Sequence, residues 1–349
     1  MKIFVYFVEP ASYTLDLLNN VFNKFSADFI FLRSRSYSNS NISPILEYDF
    51  LDKKSIFSKI RFIISVWKKY DLIIINGYNT YPFMLSFLLN LFSFKKKYLA
   101  IESDTQLKIP SNIFKKFLKF IYLRTIFSDS HILGFAGGSR SHKDLFRYYG
   151  MTEERIFLMP LVVNNDKYVR KKFSEDFVFL FVGRFIKTKN IDVLCQVFLE
   201  SFINKDAKLF LVGDGEEFID LQQRFQHEKI SFLGPLFGSE LIEVYHKSSV
   251  FIFPSSVEAW GLVVNEALSA SLPVIAHKNV GSTYDLIIGK DTGFVYDSTS
   301  QLSEYMLRLY NSPDLLSRLS NNAFNFMKSY WNFDLYELNL RKVINSFKL

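Results

Sequence analysis

Short apolar runs recur along the chain, and between them lie longer segments in which apolar residues repeat at helical spacing. That alternation is the mark of parallel strands joined by crossover helices. In the first half the runs predict strands at residues 2–8, 28–32, 72–75, 97–101 and 131–135, with helices such as 14–25 and 56–69 between them. The pattern restarts at 177–182 and continues through 208–212, 230–233, 250–253 and 273–276. Residues 161–166 and the charged run 167–172 interrupt it and read as a linker. An α/β chain of two Rossmann-like, doubly wound domains is therefore expected, residues 1–165 and 166–349, with the last helix a candidate to cross back to the first.

Composition narrows the class. The 349 residues are 49% hydrophobic and 22% charged, with mean hydropathy of only +0.08, which excludes both a disordered chain and a polytopic membrane protein. The first strand ends at Glu9-Pro10, too soon for a secretory signal. Residues 83–94 are interrupted by Ser86, Asn90 and Ser93, and a span needs about 20 apolar residues. A cytoplasmic protein is expected. Its single cysteine, Cys195, and five scattered histidines offer no metal site, so no metal is expected.

Charge is divided unevenly. Residues 1–165 hold 22 Lys and Arg against 13 Asp and Glu, a net of +9; residues 166–349 hold 20 against 22, a net of −2. A basic half points to a polyanionic surface, either nucleic acid or membrane. The excess concentrates at residues 92–97 and 113–124, and in the second stretch cations alternate with bulky apolar residues at helical spacing. Such a helix either lies among anionic headgroups or packs on its own sheet with its lysines in water. No nucleic-acid motif accompanies the charge, so no nucleic-acid partner is expected.

The second half carries three motifs at expected strand ends, where doubly wound folds bind ligands. In Phe181-Val182-Gly183-Arg184-Phe185-Ile186-Lys187-Thr188-Lys189-Asn190, Gly183 permits a tight turn and Arg184 with Lys189 offers paired cations to phosphate oxygens. The same pair also reads as solvated cations at a helix start. Leu211-Val212-Gly213-Asp214-Gly215 is a second glycine turn, which also suits an ordinary strand-to-helix connection. In the third, Glu258 and Glu266 flank Trp260-Gly261-Leu262-Val263, with a helix starting near Gly261. Amides at a helix N-terminus bind diphosphate, and a carboxylate further along can accept ribose hydroxyls.

These motifs, in this order and spacing, resemble the retaining GT-B glycosyltransferases of family 4. The resemblance covers the whole second half. It implies two domains facing a cleft, and a nucleoside-diphosphate sugar as donor substrate with no cofactor. Donor contacts would come from Gly183, Arg184, Lys189, Gly213, Leu233, Glu258, Gly261, Leu262, Val263 and Glu266. Among them Arg184 and Lys189 would hold the diphosphate, Glu266 the ribose, and Glu258 the donor sugar. Leu233 lies in the segment Ile230–Gly234, which matches the family's passage beside the nucleobase. Asn190 stands where the family usually has glycine, and Asn tolerates the left-handed backbone.

The first half departs further. The turn after the first strand, Val8-Glu9-Pro10-Ala11-Ser12-Tyr13, has no glycine, so contact there falls to Ser12 or Tyr13. Where many members carry a histidine, this chain has Ile101-Glu102-Ser103-Asp104. Glu102 is positioned either to orient and deprotonate an acceptor hydroxyl or to cap a strand end, and Asp104 is the alternative. Gly137 and Ser139 lie in the turn Ala136-Gly137-Gly138-Ser139-Arg140-Ser141-His142, whose N–H groups are candidates to face the cleft; His142 reads as a surface helix residue.

The resemblance thus implies retaining transfer of a sugar to a lipid-linked saccharide on the inner face of the cell membrane, in capsule, O-antigen or related surface-polysaccharide assembly. The alternatives are a GT-B epimerase or phosphorylase, or a non-catalytic subunit that binds nucleotide sugar or lipid.

Overall fold

A computed structural model describes residues 1–34, 48–140, 142–169 and 176–347. The chain forms two compact units, residues 1–161 with 333–349, and residues 162–332. The division falls at Leu161/Val162 rather than at 165/166 because Asn165 is fastened to the second unit. Its Nδ2 donates to the carbonyls of Met327 and Trp331 at 2.8 and 3.1 Å. Of the charged run 167–172, residues 170–172 lie outside the described residues, as does Ser141.

The first unit holds six parallel strands, β1 (Ile3–Phe7), β2 (Asp28–Phe31), β3 (Leu72–Asn76), β4 (Tyr98–Ser103), β5 (Ile132–Ala136) and β6 (Ile156–Leu158), in the order β2-β1-β3-β4-β5-β6. Its crossover helices are α1 (Ser12–Asn20), α2 (Ile56–Lys69), α3 (Tyr81–Leu91), α4 (Ile113–Ser128) and α5 (Lys143–Tyr148). Period-two alternation sorts β1 between two cores. Phe4 and Tyr6 join the side covered by α2, α3, α4 and α5, while Ile3, Val5 and Phe7 join the side covered by α1 and the C-terminal helix Phe333–Ser346. That last helix buries Tyr336, Leu340 and Val343 against the first sheet. The predicted helix 14–25 begins earlier, at Ser12, and gives way to a 3-10 turn at Phe22–Phe25. Strand β6 is too short to show as an apolar run. Buried Arg155 anchors its start by donating to the carbonyls of Phe127 at 2.9 Å and Ile132 at 3.1 Å.

The second unit repeats the plan with β7 (Val178–Val182), β8 (Lys208–Val212), β9 (Ile230–Gly234), β10 (Val250–Phe253), β11 (Val274–His277) and β12 (Gly293–Tyr296), all parallel, in the order β12-β11-β10-β7-β8-β9. Helices α6 (Ile191–Phe202), α7 (Phe218–Arg224), α8 (Gly238–Lys247), α9 (Leu262–Ser269), α10 (Thr283–Leu286), α11 (Thr299–Asn311) and α12 (Pro313–Ser329) connect and follow them, and Phe333–Ser346 is α13. Strand β12 was not expected from the sequence. Gly293 lies so close to the Val274 backbone that a Cβ there would stand 1.9 Å from the carbonyl oxygen.

In each sheet the strand order reverses once. In the first unit β1 leads to β2 on one side and β3 lies on the other; in the second, β7 leads to β8 on one side and β10 lies on the other. The loops beyond β1 and β3, and beyond β7 and β10, therefore lie at the switch point of each sheet's carboxyl end, the place where such sheets bind ligands.

Candidate active site

In the second unit the residues after β7 and β10 meet at this switch point. The Lys189 ammonium is ion-paired with the Glu258 carboxylate and sits 4.8 Å from the centre of the Phe253 ring. Lys189 is buried, only 8% exposed, and Glu258 compensates the burial of its ammonium. A 3-10 turn, Lys187–Lys189, delivers it, and Asn190 ends the turn in the left-handed conformation at φ 49°. The Asn190 side chain then donates to the Pro254 carbonyl at 2.9 Å, and Ser256 N–H to the Thr188 carbonyl at 2.8 Å, locking the two loops together. Arg184, by contrast, is exposed and its guanidinium has no carboxylate partner among the described residues.

The glycine turns support this arrangement through the main chain. Gly183 N–H donates to Val212 O at 3.0 Å, Gly213 N–H to Gly234 O at 2.9 Å, and Phe185 N–H to Asp214 O at 2.9 Å. Gly213 has φ +134°, and a Cβ there would lie 1.9 Å from the Gly183 carbonyl oxygen. Gly183 and Gly213 thus shape the crevice, while their own amides are already occupied. The free donors are one strand further on. Gly261 precedes α9 at φ +91°, and the amides of Gly261, Leu262 and Val263 have no acceptor among the described residues. Behind them Trp260 Nε1 donates to Asn265 Oδ1 at 2.9 Å, and its ring stacks on Trp331 at 5.6 Å.

Glu266 lies one turn into α9. Burial raises its carboxyl above the ordinary range, while the hydroxyls of Tyr245 and Tyr168 oppose that shift by hydrogen bonding; Tyr245 donates at 2.8 Å. Neither tyrosine was singled out in the sequence, since no spacing links either to the motif. Leu233 is on β9, more than a third exposed.

In the first unit Glu102 belongs to β4 itself, opposite Asn76 of β3. Tyr336 Oη, from α13, donates to Glu102 Oε1 at 3.0 Å, and the Asn76 side chain also bonds it. Burial raises the Glu102 carboxyl, and the charge of Asp104 adds to the rise. Tyr13 lies in the first turn of α1, close enough that Glu9, Asp104 and Glu102 all raise its hydroxyl further beyond the effect of burial. Ser12 begins α1, and Asp104 is exposed. Two expectations need correction. The Gly137 amide does not face outward; it donates to the Ser103 carbonyl at 3.1 Å, continuing the β4–β5 ladder. His142 is fully buried at the start of α5, with its ring beside Gly137. Ser139 is partly buried in the same turn.

The basic helix does not pack along its length. In α4 only Leu123, Ile126 and Phe127 are buried, while Ile113 is 84% exposed, Phe114 68% and Phe117 58%. In the 92–97 run, Phe92 and Phe94 are exposed. Lys96 is paired with Asp129 at 3.0 Å and Lys97 with Asp71 at 3.7 Å, leaving Lys95 as that run's unpaired exposed cation. No helix among the described residues is long and apolar enough to cross a membrane.

Two parallel doubly wound units, each with its candidate residues at the carboxyl end of its sheet, define the GT-B fold class. Solved structures agree. Anabaena HepE in complex with UDP superposes with a TM-score of 0.77 at 15% identity, covering 99% of this chain and 100% of that one. Sucrose-phosphate synthase from Thermosynechococcus elongatus gives 0.74 at 16%, with 99% of each chain covered. At such identities the likeness speaks for the fold alone. The family follows from the second unit: residues 163–326 match the model of glycosyl transferases group 1, and the chain carries a domain of that family. It is 29% identical over 164 residues to the alpha-monoglucosyldiacylglycerol synthase of Acholeplasma laidlawii, covering 45% of this chain and 40% of that protein. To the capsular polysaccharide biosynthesis glycosyltransferase CapM of Staphylococcus aureus it is 26% identical over 194 residues, 52% of this chain and 49% of that protein. The matches span less than half the length of these curated relatives.

Proposed function

We propose that the protein transfers one sugar, with retained anomeric configuration, from a nucleoside-diphosphate sugar to a hydroxyl of a lipid-linked saccharide. The observation that carries this reading is the convergence, at the second sheet's switch point, of exposed Arg184, buried Lys189 paired with Glu258, and the open amides of Gly261, Leu262 and Val263. A diphosphate placed there meets an Arg fork, an ammonium and a helix N-terminus, and all three stabilise the charge that grows on the leaving group. This is a metal-independent mechanism. A phosphate oxygen reaching Lys189 exchanges with Glu258, whose carboxylate then turns to the donor sugar. Glu266, its carboxyl oriented by Tyr245, accepts the ribose hydroxyls.

Glu102 of the first unit orients or deprotonates the acceptor hydroxyl, a role that the raised carboxyl and the bond from Tyr336 suit. The exposed apolar and basic face of α4, with Lys95 nearby in sequence, supports a seat on an anionic membrane surface, at the inner face of the cell membrane. Relatives named for a glucosyldiacylglycerol and for capsular polysaccharide support an acceptor of surface-glycan type, in capsule, O-antigen or related assembly.

A thermal-shift series with nucleoside diphosphates and their sugars tests the donor site. A matching nucleotide raises the melting temperature by mass action, and Arg184→Ala removes the rise. No response to any nucleotide overturns the reading.

A further inference from the structure

Helices α2 and α3 of the first unit pack on each other, with Trp67 Nε1 donating to Asn90 Oδ1 at 2.8 Å, but the two do not close fully with α4. Between them runs a groove of about 770 Å³, within the size range of small-molecule sites. Its walls are apolar, among them Ile56, Ile60, Met84, Leu88 and Ile126. Several of these are open to solvent, with Ile56 73% exposed. A polar ligand needs convergent donors and acceptors to fix it, and this lining has few. Lys59 is its one charged side chain, and no carboxylate is present. The three helices carry the same sign, and the nearby carboxylate of Asp52, beside Tyr81, lies outside them. Across α2, α3 and α4 every charged residue is Lys or Arg. On α4, Lys115 and Lys119 precede Tyr122 at helical spacing, so one stripe passes from cations into the groove wall.

An apolar slot between helices whose own charges are all positive matches one kind of molecule, a hydrocarbon chain bearing an anionic head. A second copy of the protein fits poorly, because a two-fold contact through this face would set the same cations against each other. We propose that the groove takes one hydrocarbon chain of an anionic lipid from the bilayer beneath the protein, with Lys59, the charged side chain of its lining, meeting the headgroup. The proposal rests on the membrane reading above and adds a specific chain site to it.

Decyl phosphate, titrated calorimetrically below its micelle concentration, is the probe, and glycerol phosphate is the head without the chain. The expected result is binding of decyl phosphate at least tenfold tighter than of glycerol phosphate. Ile60→Trp or Leu88→Trp, both at exposed positions that fill the slot, should weaken decyl phosphate at least tenfold with the melting temperature kept. A groove-filled variant that binds like the parent, or equal binding of the chainless head, overturns the proposal. The membrane reading is tested separately with vesicles of anionic phospholipid. Lys115→Glu with Lys116→Glu should abolish adsorption while decyl phosphate still binds. An unaltered protein that binds decyl phosphate but no vesicle overturns the membrane reading and supports the groove.

Discussion

The two units share one topology and build their crevices from different materials. In the second, the main chain does the work: successive loops are stitched by amide-to-carbonyl bonds from Gly183, Gly213, Phe185 and Ser256, and side chains are mounted on that frame. In the first, Glu102 is held by side chains, Asn76 on the neighbouring strand and Tyr336 from a helix 234 residues further along. A crevice framed by backbone tolerates little change in its turns, whereas one framed by side chains can be retuned through a single hydroxyl. Their outer faces differ too. The first unit leaves much apolar surface on α2, α3 and α4 open, which a monomeric soluble fold rarely does without a partner for it.

The largest expected effect tests whether the cations of the second unit are there for chemistry. Arg184 is exposed, so Arg184→Ala should leave stability within about 0.5 kcal/mol. Loss of a charge-stabilising donor should nonetheless lower kcat by roughly 10²–10³-fold. Steady-state kinetics beside a melting curve decide it, and near-normal turnover removes Arg184 from the site.

Next comes the backbone frame itself. Gly213→Ala drives a methyl into the Gly183 carbonyl, where a Cβ would stand at 1.9 Å, and should cost about 3 kcal/mol. Gly234→Ala, also at positive φ but with nothing within 4 Å, should cost about 1 kcal/mol, the left-handed penalty alone. Denaturant midpoints measure both. Equal losses would mean that the close approach of the two loops does not matter.

That contrast also explains what was legible in the sequence. Strands and their restart at the second unit showed as apolar runs, and the donor motifs showed because backbone-built turns require glycine or asparagine at fixed places, as at Gly213, Gly261 and Asn190. Tyr336, Tyr245 and Asn76 left no such trace. Each acts through a side chain brought in by tertiary packing, and a tyrosine in an amphipathic helix looks the same whether it caps a carboxylate or fills a core. Strand β6 escaped because three residues carry no periodicity, and β12 because its glycine is defined by a neighbour's backbone. His142 leaves no trace either, because a histidine at a helix start reads the same whether its ring lies in water or is buried, as it is in this fold.

The first unit's tunability can be tested through Tyr336. Burial holds the Glu102 carboxyl above its ordinary value, so the fold favours its protonated form. The stability this group contributes is complete below the ordinary carboxyl range and is lost as pH rises through the raised folded value. A base must be ionised, so the acid limb of kcat/KM should fall above the ordinary glutamate range. The Tyr336 hydroxyl opposes the rise. Tyr336→Phe should therefore move that limb to higher pH and cost about 1 kcal/mol of stability. A limb that stays in place dissociates Glu102 from the proton transfer.

The smallest effect separates cations within the first unit. Near an anionic surface each free lysine is worth about 1 kcal/mol, or roughly fivefold in partitioning. Lys115 has no carboxylate partner among the described residues, whereas Lys96 is already neutralised by Asp129 at 3.0 Å. Lys115→Gln should thus weaken adsorption to anionic vesicles about fivefold, and Lys96→Gln by less, because the Lys96 side chain is two-thirds covered and lies off α4. Sedimentation with vesicles at two salt concentrations measures both, and the Lys115 effect should shrink at high salt. Equal effects would mean that the surface senses net charge alone, and the oriented α4 face would lose its claim as the contact.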